Sequence, residues 1–285
     1  MVARPRGRGP YNGPYVRRIS SRSNPLVTRF RDVARGRGPD GLILLDGEHL
    51  VEEALASGVS LDTVALADSA VDRYSDGLLD RIERAGVQVV RVPAPVLAAM
   101  SPVRHPSGVV ALATAFSATL DDVVAGTPQL VLVLDGIQDA GNVGAIVRAA
   151  DGCGATGIIT TEGTADPFGW KALRGAMGST FRLPIAVHQP AAAAVDRFRS
   201  GGIAIVATVP RHGTPLPAFE LRGPVAILLG SEGAGLSDSL VAAADQRLSI
   251  PMRPPVESFN VAITAALILY EASKQRDGHV AVSRT

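Results

Sequence analysis

The chain has 285 residues, 46% of them hydrophobic and 4% aromatic, which leaves room for two domains whose cores must be filled by aliphatic side chains. The single cysteine, Cys153, excludes an intramolecular disulfide framework, and no Cys/His group has zinc spacing, so the expectation is a reducing cytoplasmic setting with no metal. A formal net charge of +1 conceals an asymmetry: residues 1–37 hold ten arginines and one acid, Asp32, leaving 18 basic against 26 acidic residues in the remainder. A basic arm on an acidic body points to a polyanionic partner, because arginine gains affinity by releasing phosphate counterions; the alternative is a solubilising tail. The longest apolar candidate, Val261 to Tyr270, is too short to cross a bilayer. No apolar stretch follows the first arginines, so no signal peptide is expected.

Residues 1–18, rich in Arg, Gly and Pro, are predicted to be a flexible basic arm. Asn24 followed by Pro25 predicts a capped helix running to Arg35. Leu42–Leu45 reads as a strand, Glu48–Ala56 as a helix, Val64–Ala67 as a strand, Gly77–Ala85 as a helix, and Val87–Val92 and Val109–Ala115 as strands. This alternation predicts an α/β domain over residues 19–116. Asp121, Asp122, Gly126 and Pro128 suggest a linker over 117–129. A second α/β domain with a parallel sheet, 130–285, follows. Its expected strands are Leu130–Leu134, Gly157–Thr160, Ile203–Thr208, Val225–Leu229 and Leu248–Ile250. Its expected helices are Val143–Asp151, one containing Val195–Ser200, and Asn260–Gln275.

Three short blocks stand at predicted strand ends, where α/β folds build sites. The first, NVGAIVRAA from Asn142, follows Gly141, so that Gly141 and Gly144 give G-x-x-G and not the dinucleotide pattern G-x-G-x-x-G. Arg148 within it either holds a phosphate or is a solvated helix residue. The second, LLGSEGAGLS from Leu228, has three glycines that let backbone approach a ligand closely. Its Glu232 either binds a ligand or caps a turn, and Ser237 is positioned to start a helix. The third, IPMRPPVESFNVA from Ile250, holds an extended proline-rich loop ahead of an apolar helix, with Ser258 as a candidate cap.

In this order, N-x-G-x-I-x-R-A-A, L-G-S-E-G-x-G-L and I-P-M…E-S-x-N-V-x-x-A resemble the SpoU (TrmH-like) family of RNA ribose 2′-O-methyltransferases, within the SPOUT superfamily. The segment FGWKALRGAMGSTFRLPI, Phe168 to Ile185, is similar to the family stretch between the first two blocks. LLDGEHLVEEAL and SGVVALA resemble the ribosomal-protein-L30e-like substrate-binding domain that accompanies this family. The resemblance implies a deep trefoil knot in the second domain, a homodimer with sites at its interface, and S-adenosylmethionine as cofactor. By motif matching, Thr208, Gly230, Ile250 and Phe259 form the cofactor pocket, Phe259 standing where relatives usually carry leucine. Arg148 matches the proposed activator of the ribose hydroxyl, while Asn142, Glu232, Ser258 and Asn260 match residues that hold this arginine, the ribose or the cofactor. Arginine stays protonated, so orienting the hydroxyl and a phosphate is the expected role.

The implied substrate is 23S rRNA, contacted also by Arg17, Arg18, Arg22 and Arg29; the arginine-heavy style resembles family enzymes that confer antibiotic resistance. A tRNA substrate and a noncatalytic RNA-binding module are the alternatives. Deleting residues 1–18 is expected to weaken RNA binding and flatten its salt dependence by roughly 0.7 log units for each phosphate no longer neutralised. Unchanged affinity in a low-salt titration would make the arm a bystander.

Overall fold

The computed structural model describes residues 16–71, 77–127 and 129–277; Arg4, Arg6 and Arg8 of the expected arm lie outside them. The chain divides into two compact units between Ala115 and Phe116.

The first unit is a five-stranded sheet. Its elements in order are β1 (Val16–Arg18), α1 (Pro25–Ala34), β2 (Leu42–Asp46), α2 (Glu48–Ala56), β3 (Leu61–Ala67), α3 (Leu78–Arg84), β4 (Gln88–Val92), α4 (Ala94–Met100) and β5 (Val109–Thr114). The strand order is β1-β4-β3-β5-β2, with β1, β4 and β3 parallel and β5 antiparallel to both its neighbours. Asn24 caps α1 through its side chain, which accepts the Leu26 N–H at 2.9 Å, and Pro25 follows at the first helical position. Val27, Phe30 and Val33 then fall on one face and are buried.

Two expectations change here. Val16–Arg18, assigned to the arm, is an edge strand whose register pairs Arg17 with Val90, so these three residues belong to the sheet of the first unit. Ala94–Met100 is a helix that periodicity does not reveal, started by Pro95 in its first turn and burying Val96, Leu97 and Met100.

The second unit continues with α5 (Leu120–Val124), β6 (Leu130–Asp135), α6 (Ala140–Gly152), β7 (Gly157–Thr160), α7 (Trp170–Ala176), β8 (Ile185–Ala186), α8 (Ala191–Ser200), β9 (Ala204–Thr208), β10 (Thr214–Pro215), β11 (Val225–Gly230), α9 (Asp238–Ala243), β12 (Gln246–Ser249) and α10 (Val261–Asp277). Its seven strands are ordered β10-β12-β9-β11-β6-β7-β8, and every pairing is parallel. LVLVLD and VAILLG are continuous apolar runs because both faces of a parallel sheet are covered. One face packs Val131, Val133, Ala226 and Leu228 against Val123 of α5 and Val195 and Phe198 of α8. Helix α6 packs with α7 and α10. Gly144 makes the first of these contacts: a Cβ there would overlap the Ala172 carbonyl.

The expected linker over 117–129 is instead part of this unit. Thr119 and Asp122 form a reciprocal capping box on α5, and Val123 and Val124 enter the core. The acids that suggest a break sit in the first turn, where a helix favours them. The Asp122 carboxyl is held below its ordinary range, first by the Thr119 hydroxyl and then by the Thr119 N–H.

The end of α10 is locked onto the loop before β11. Arg276 donates to the carbonyls of Leu221 at 2.8 Å, Gln129 at 3.0 Å and Gly223 at 2.5 Å. Gln275 accepts the Leu221 N–H at 2.8 Å and donates to the Phe219 carbonyl at 2.9 Å. Partial burial lowers the Arg276 pKa from its ordinary value. Three carbonyls lose a charged donor in Arg276→Met, which is expected to cost about 2 kcal/mol. Urea unfolding checks this, and a variant as stable as the parent chain would contradict the lock.

Candidate active site

Strand β11 ends at Gly230, register partner of Asp135 on β6. The chain then turns back sharply: Ser231 and Gly235 form an antiparallel bridge, with N–H to carbonyl distances of 3.1 and 3.0 Å. A Cβ on Gly230 would overlap the backbone at Gly235 and Leu236, so glycine is required for the turn to fold onto its own strand. The turn forms one wall of a cavity of about 470 Å³.

Four residues expected on a cofactor line this cavity: Thr208 at the end of β9, Gly230, and Ile250 and Phe259 from the loop between β12 and α10. Glu232 and Ser258 line it as well. Leu229, Leu248 and Ile268 supply apolar surface, and backbone of residues 230–236 supplies polar groups. The Thr208 hydroxyl donates to the Leu228 carbonyl at 2.8 Å, so its side chain is oriented by the sheet. Arg211 and Glu257 pair at 3.8 Å, both exposed, with Glu257 at the cavity wall.

Beside the cavity, a line of side-chain hydrogen bonds joins the three sequence blocks. The Asn260 Oδ1 accepts the N–H groups of Ala262 at 2.9 Å and Ile263 at 3.3 Å and so caps α10. This corrects the assignment of that cap to Ser258. With its oxygen occupied, Asn260 turns its Nδ2 to the Asn142 Oδ1, which accepts at 3.1 Å. Asn142 Nδ2 then donates to the Glu232 carboxylate. Glu232 is therefore tied to the first block instead of capping its own turn. Asp139 fixes the start of α6, its side chain accepting the Asn142 N–H at 2.9 Å. Sequence reasoning misses Asp139, although an aspartate three residues before Asn142 is a helix-start signal.

Arg148 is not brought to this cavity. It lies six residues beyond Asn142, about 9 Å along α6 and roughly 120° away around its axis. It is exposed, and among the described residues it has no hydrogen-bond or ion-pair partner. Of the four arginines expected on RNA, three are engaged within the first unit. Arg18 meets Asp68 at 3.1 Å, Arg22 donates to the Pro95 carbonyl at 3.1 Å, and Arg29 makes a two-pronged contact with Asp62 at 2.9 and 3.1 Å. Arg17 is exposed and has no partner among the described residues. Among those residues there is also no group of three or more His, Cys, Asp or Glu able to hold a metal, and no helix long and apolar enough to cross a membrane.

Residues 129–270 match the SpoU rRNA Methylase family, and residues 16–126 match the N terminus of the thiostrepton-resistance methylase. An uncharacterized tRNA/rRNA methyltransferase from Synechocystis is 35% identical over 263 residues, covering 90% of this chain and 94% of that protein. The 23S rRNA (guanosine(2553)-2′-O)-methyltransferase RlmP of Bacillus subtilis is 29% identical, covering 90% of this chain and 98% of its own. The crystal structure of an AdoMet-bound rRNA methyltransferase from Sinorhizobium meliloti aligns with a TM-score of 0.82 at 28% identity, covering 91% of this chain and 98% of that one.

Replacing Asn260 separates its two tasks. Asn260→Ala removes the cap and is expected to cost about 1 kcal/mol. Asn260→Asp keeps the acceptor, retaining most of that stability, but loses the donor to Asn142. Thermal unfolding of both variants checks this; an alanine variant as stable as the parent would refute the capping role.

Proposed function

The chain belongs to the SpoU rRNA Methylase family, and we propose that it is an S-adenosylmethionine-dependent RNA ribose 2′-O-methyltransferase acting on 23S rRNA. The observation that carries this reading is the Glu232–Asn142–Asn260 line, which joins all three family blocks beside one cavity. The cavity suits the cofactor: its volume falls in the small-molecule range, its floor is aliphatic, and the carboxylates of Glu232 and Glu257 face a ligand carrying positive charge. Gly230, Thr208, Ile250 and Phe259 would hold it. The RlmP and Sinorhizobium relatives, aligned across nearly their whole lengths, support the rRNA substrate and the cofactor.

When bound, the cofactor supplies an electrophilic methyl group. The protein then has to present a ribose 2′-oxygen in line with it and let the hydroxyl proton leave. Ser258, on the cavity wall, would meet the ribose edge, Asn142 and Asn260 beside it would hold Glu232 in place, and the backbone of residues 230–236 would exclude water from one side. Arg148 acts as a fixed cation that holds a substrate phosphate and directs the hydroxyl proton toward its oxygen. Because Arg148 points away from its own cavity, the reading requires a homodimer in which it serves a cavity of a second copy. Ile263, Leu267 and Tyr270, spaced four and three apart on α10 and 52%, 40% and 66% exposed, give an apolar stripe for that contact. The trefoil knot belongs to the same proposal, with the chain threaded through the loops that follow β9, β11 and β12. A 23S rRNA substrate would put the enzyme in the cytoplasm.

Labelled methyl transfer to rRNA and tRNA, followed by mapping of the modified nucleotide, tests the proposal. Methylation of tRNA alone would replace the substrate, and failure to bind S-adenosylmethionine would favour a noncatalytic RNA-binding module. The match to a thiostrepton-resistance methylase makes antibiotic-binding regions of 23S rRNA the first to map. Arg148→Ala is expected to cut turnover at least about 100-fold while fold and cofactor affinity persist. Near-normal turnover would remove Arg148 from the chemistry.

A further inference from the structure

We propose that Asp135 is a positioning residue for the transfer described above: it braces the glycine-rich turn against the cofactor cavity while touching neither ligand. The inference rests on that functional reading for its purpose, and on the geometry of one carboxylate for its substance.

Asp135 is the last residue of β6, and its Cα is in register with Gly230, the last residue of β11. These two strands are neighbours in the sheet although some ninety residues separate them in the chain, and the glycine turn begins at this junction. The Asp135 Oδ2 accepts the N–H of Ser237 at 3.2 Å, on the far side of the turn. Its Oδ1 accepts the Thr161 hydroxyl at 2.7 Å, from the segment after β7. One side chain therefore spans three segments.

The turn has other ties. The Ser231–Gly235 bridge closes its neck, and Glu232 reaches Asn142 from its apex. Along the return limb, the bridge holds Gly235 and the Leu236 side chain packs against the core at the sheet, while Ser237 makes no side-chain cap on α9. The bond from Ser237 N–H to Asp135 is the polar brace that fixes the end of that limb. Thr161, itself only 4% exposed, sets the rotation of the carboxylate so that one oxygen faces Ser237. Releasing the limb would let the cavity wall at residues 231–236 move, and with it the carboxylate of Glu232.

The conservative variant discriminates a brace from bulk stability. In Asp135→Asn the amide can turn its oxygen to the Ser237 N–H and donate its Nδ2 to the Thr161 oxygen, whose proton then goes to the Leu134 carbonyl, already 3.4 Å away. Asp135→Ala cannot make either bond.

The test combines hydrogen exchange on the ligand-free protein with S-adenosylmethionine titration and turnover. Asp135→Ala is expected to speed amide exchange about tenfold across residues 231–237, with β6 and β11 still protected, and to weaken cofactor binding by a similar factor. Asp135→Asn is expected to stay within about threefold of the parent in both. Thr161→Val, which keeps the carboxylate, is expected to fall between them. Unchanged exchange in Asp135→Ala would overturn the proposal, as would equal, chain-wide loss of protection in Asp135→Ala and Asp135→Asn. If the parent protein bound no S-adenosylmethionine, the functional reading would fall and with it the brace's purpose. Local exchange in the same samples would separate that failure from a failure of the brace itself.

Discussion

Two helix N–H groups at the start of α10 determine the arrangement of the site. Asn260 has one carbonyl oxygen, and the Ala262 and Ile263 amides both require it. The orientation of the Asn260 amide is thereby decided, and its NH₂ group must face away from the helix. Asn142 can meet that donor only with its own oxygen, so its NH₂ group faces Glu232. The reverse arrangement would set an amide oxygen against a carboxylate. A local capping requirement thus propagates through two amides and selects a singly oriented acceptor oxygen of Glu232 on the cavity wall. No member of the line can be turned over without leaving a donor facing a donor or an acceptor facing an acceptor.

The parallel sheet supplies the frame on which this line is strung. Because β11 lies between β9 and β6, the ends of β9, β11 and β6 stand side by side: Thr208, Gly230 and Asp135. Loops leaving neighbouring parallel strands at their carboxyl ends converge, and ligands are bound in such crevices. Convergence also crowds the backbone, so Gly230 carries no Cβ where the turn folds onto its strand, and Gly144 carries none where α6 packs on α7. The blocks that look like isolated glycine-rich motifs in sequence are the places where this packing is tightest.

How much of this can be read in the sequence follows from the range of each interaction. Local signals suffice for α2, whose limits Glu48–Ala56 agree with the expectation, and for the Asn24–Pro25 start of α1. They mislead at Thr119–Asp122, where a capping box looks like a break, and give no element at Trp170–Ala176, a short helix with Gly175 inside it and Gly169 and Gly178 close by. The residues that line the cavity are recoverable because their motifs are contiguous. The line that joins them is not, since Asn142 meets Glu232 and Asn260 across separations of 90 and 118 residues. Nothing in spacing indicates such partners. Likewise, Arg18, Arg22 and Arg29 look equivalent to Arg17 until their acids and carbonyl are placed beside them.

Helix α6 carries two polar functions on different faces. Asn142, at its capped start, is bound to the glycine turn, and Arg148, about two turns on, faces outward. Val143, Ile146 and Val147 pack this helix into the core. Under the proposed function, the Glu232–Asn142 bond then ties the glycine turn of one copy to the helix whose Arg148 is offered to the other. In that proposed dimer a displacement of the glycine turn would reach Arg148 through about 9 Å of helix.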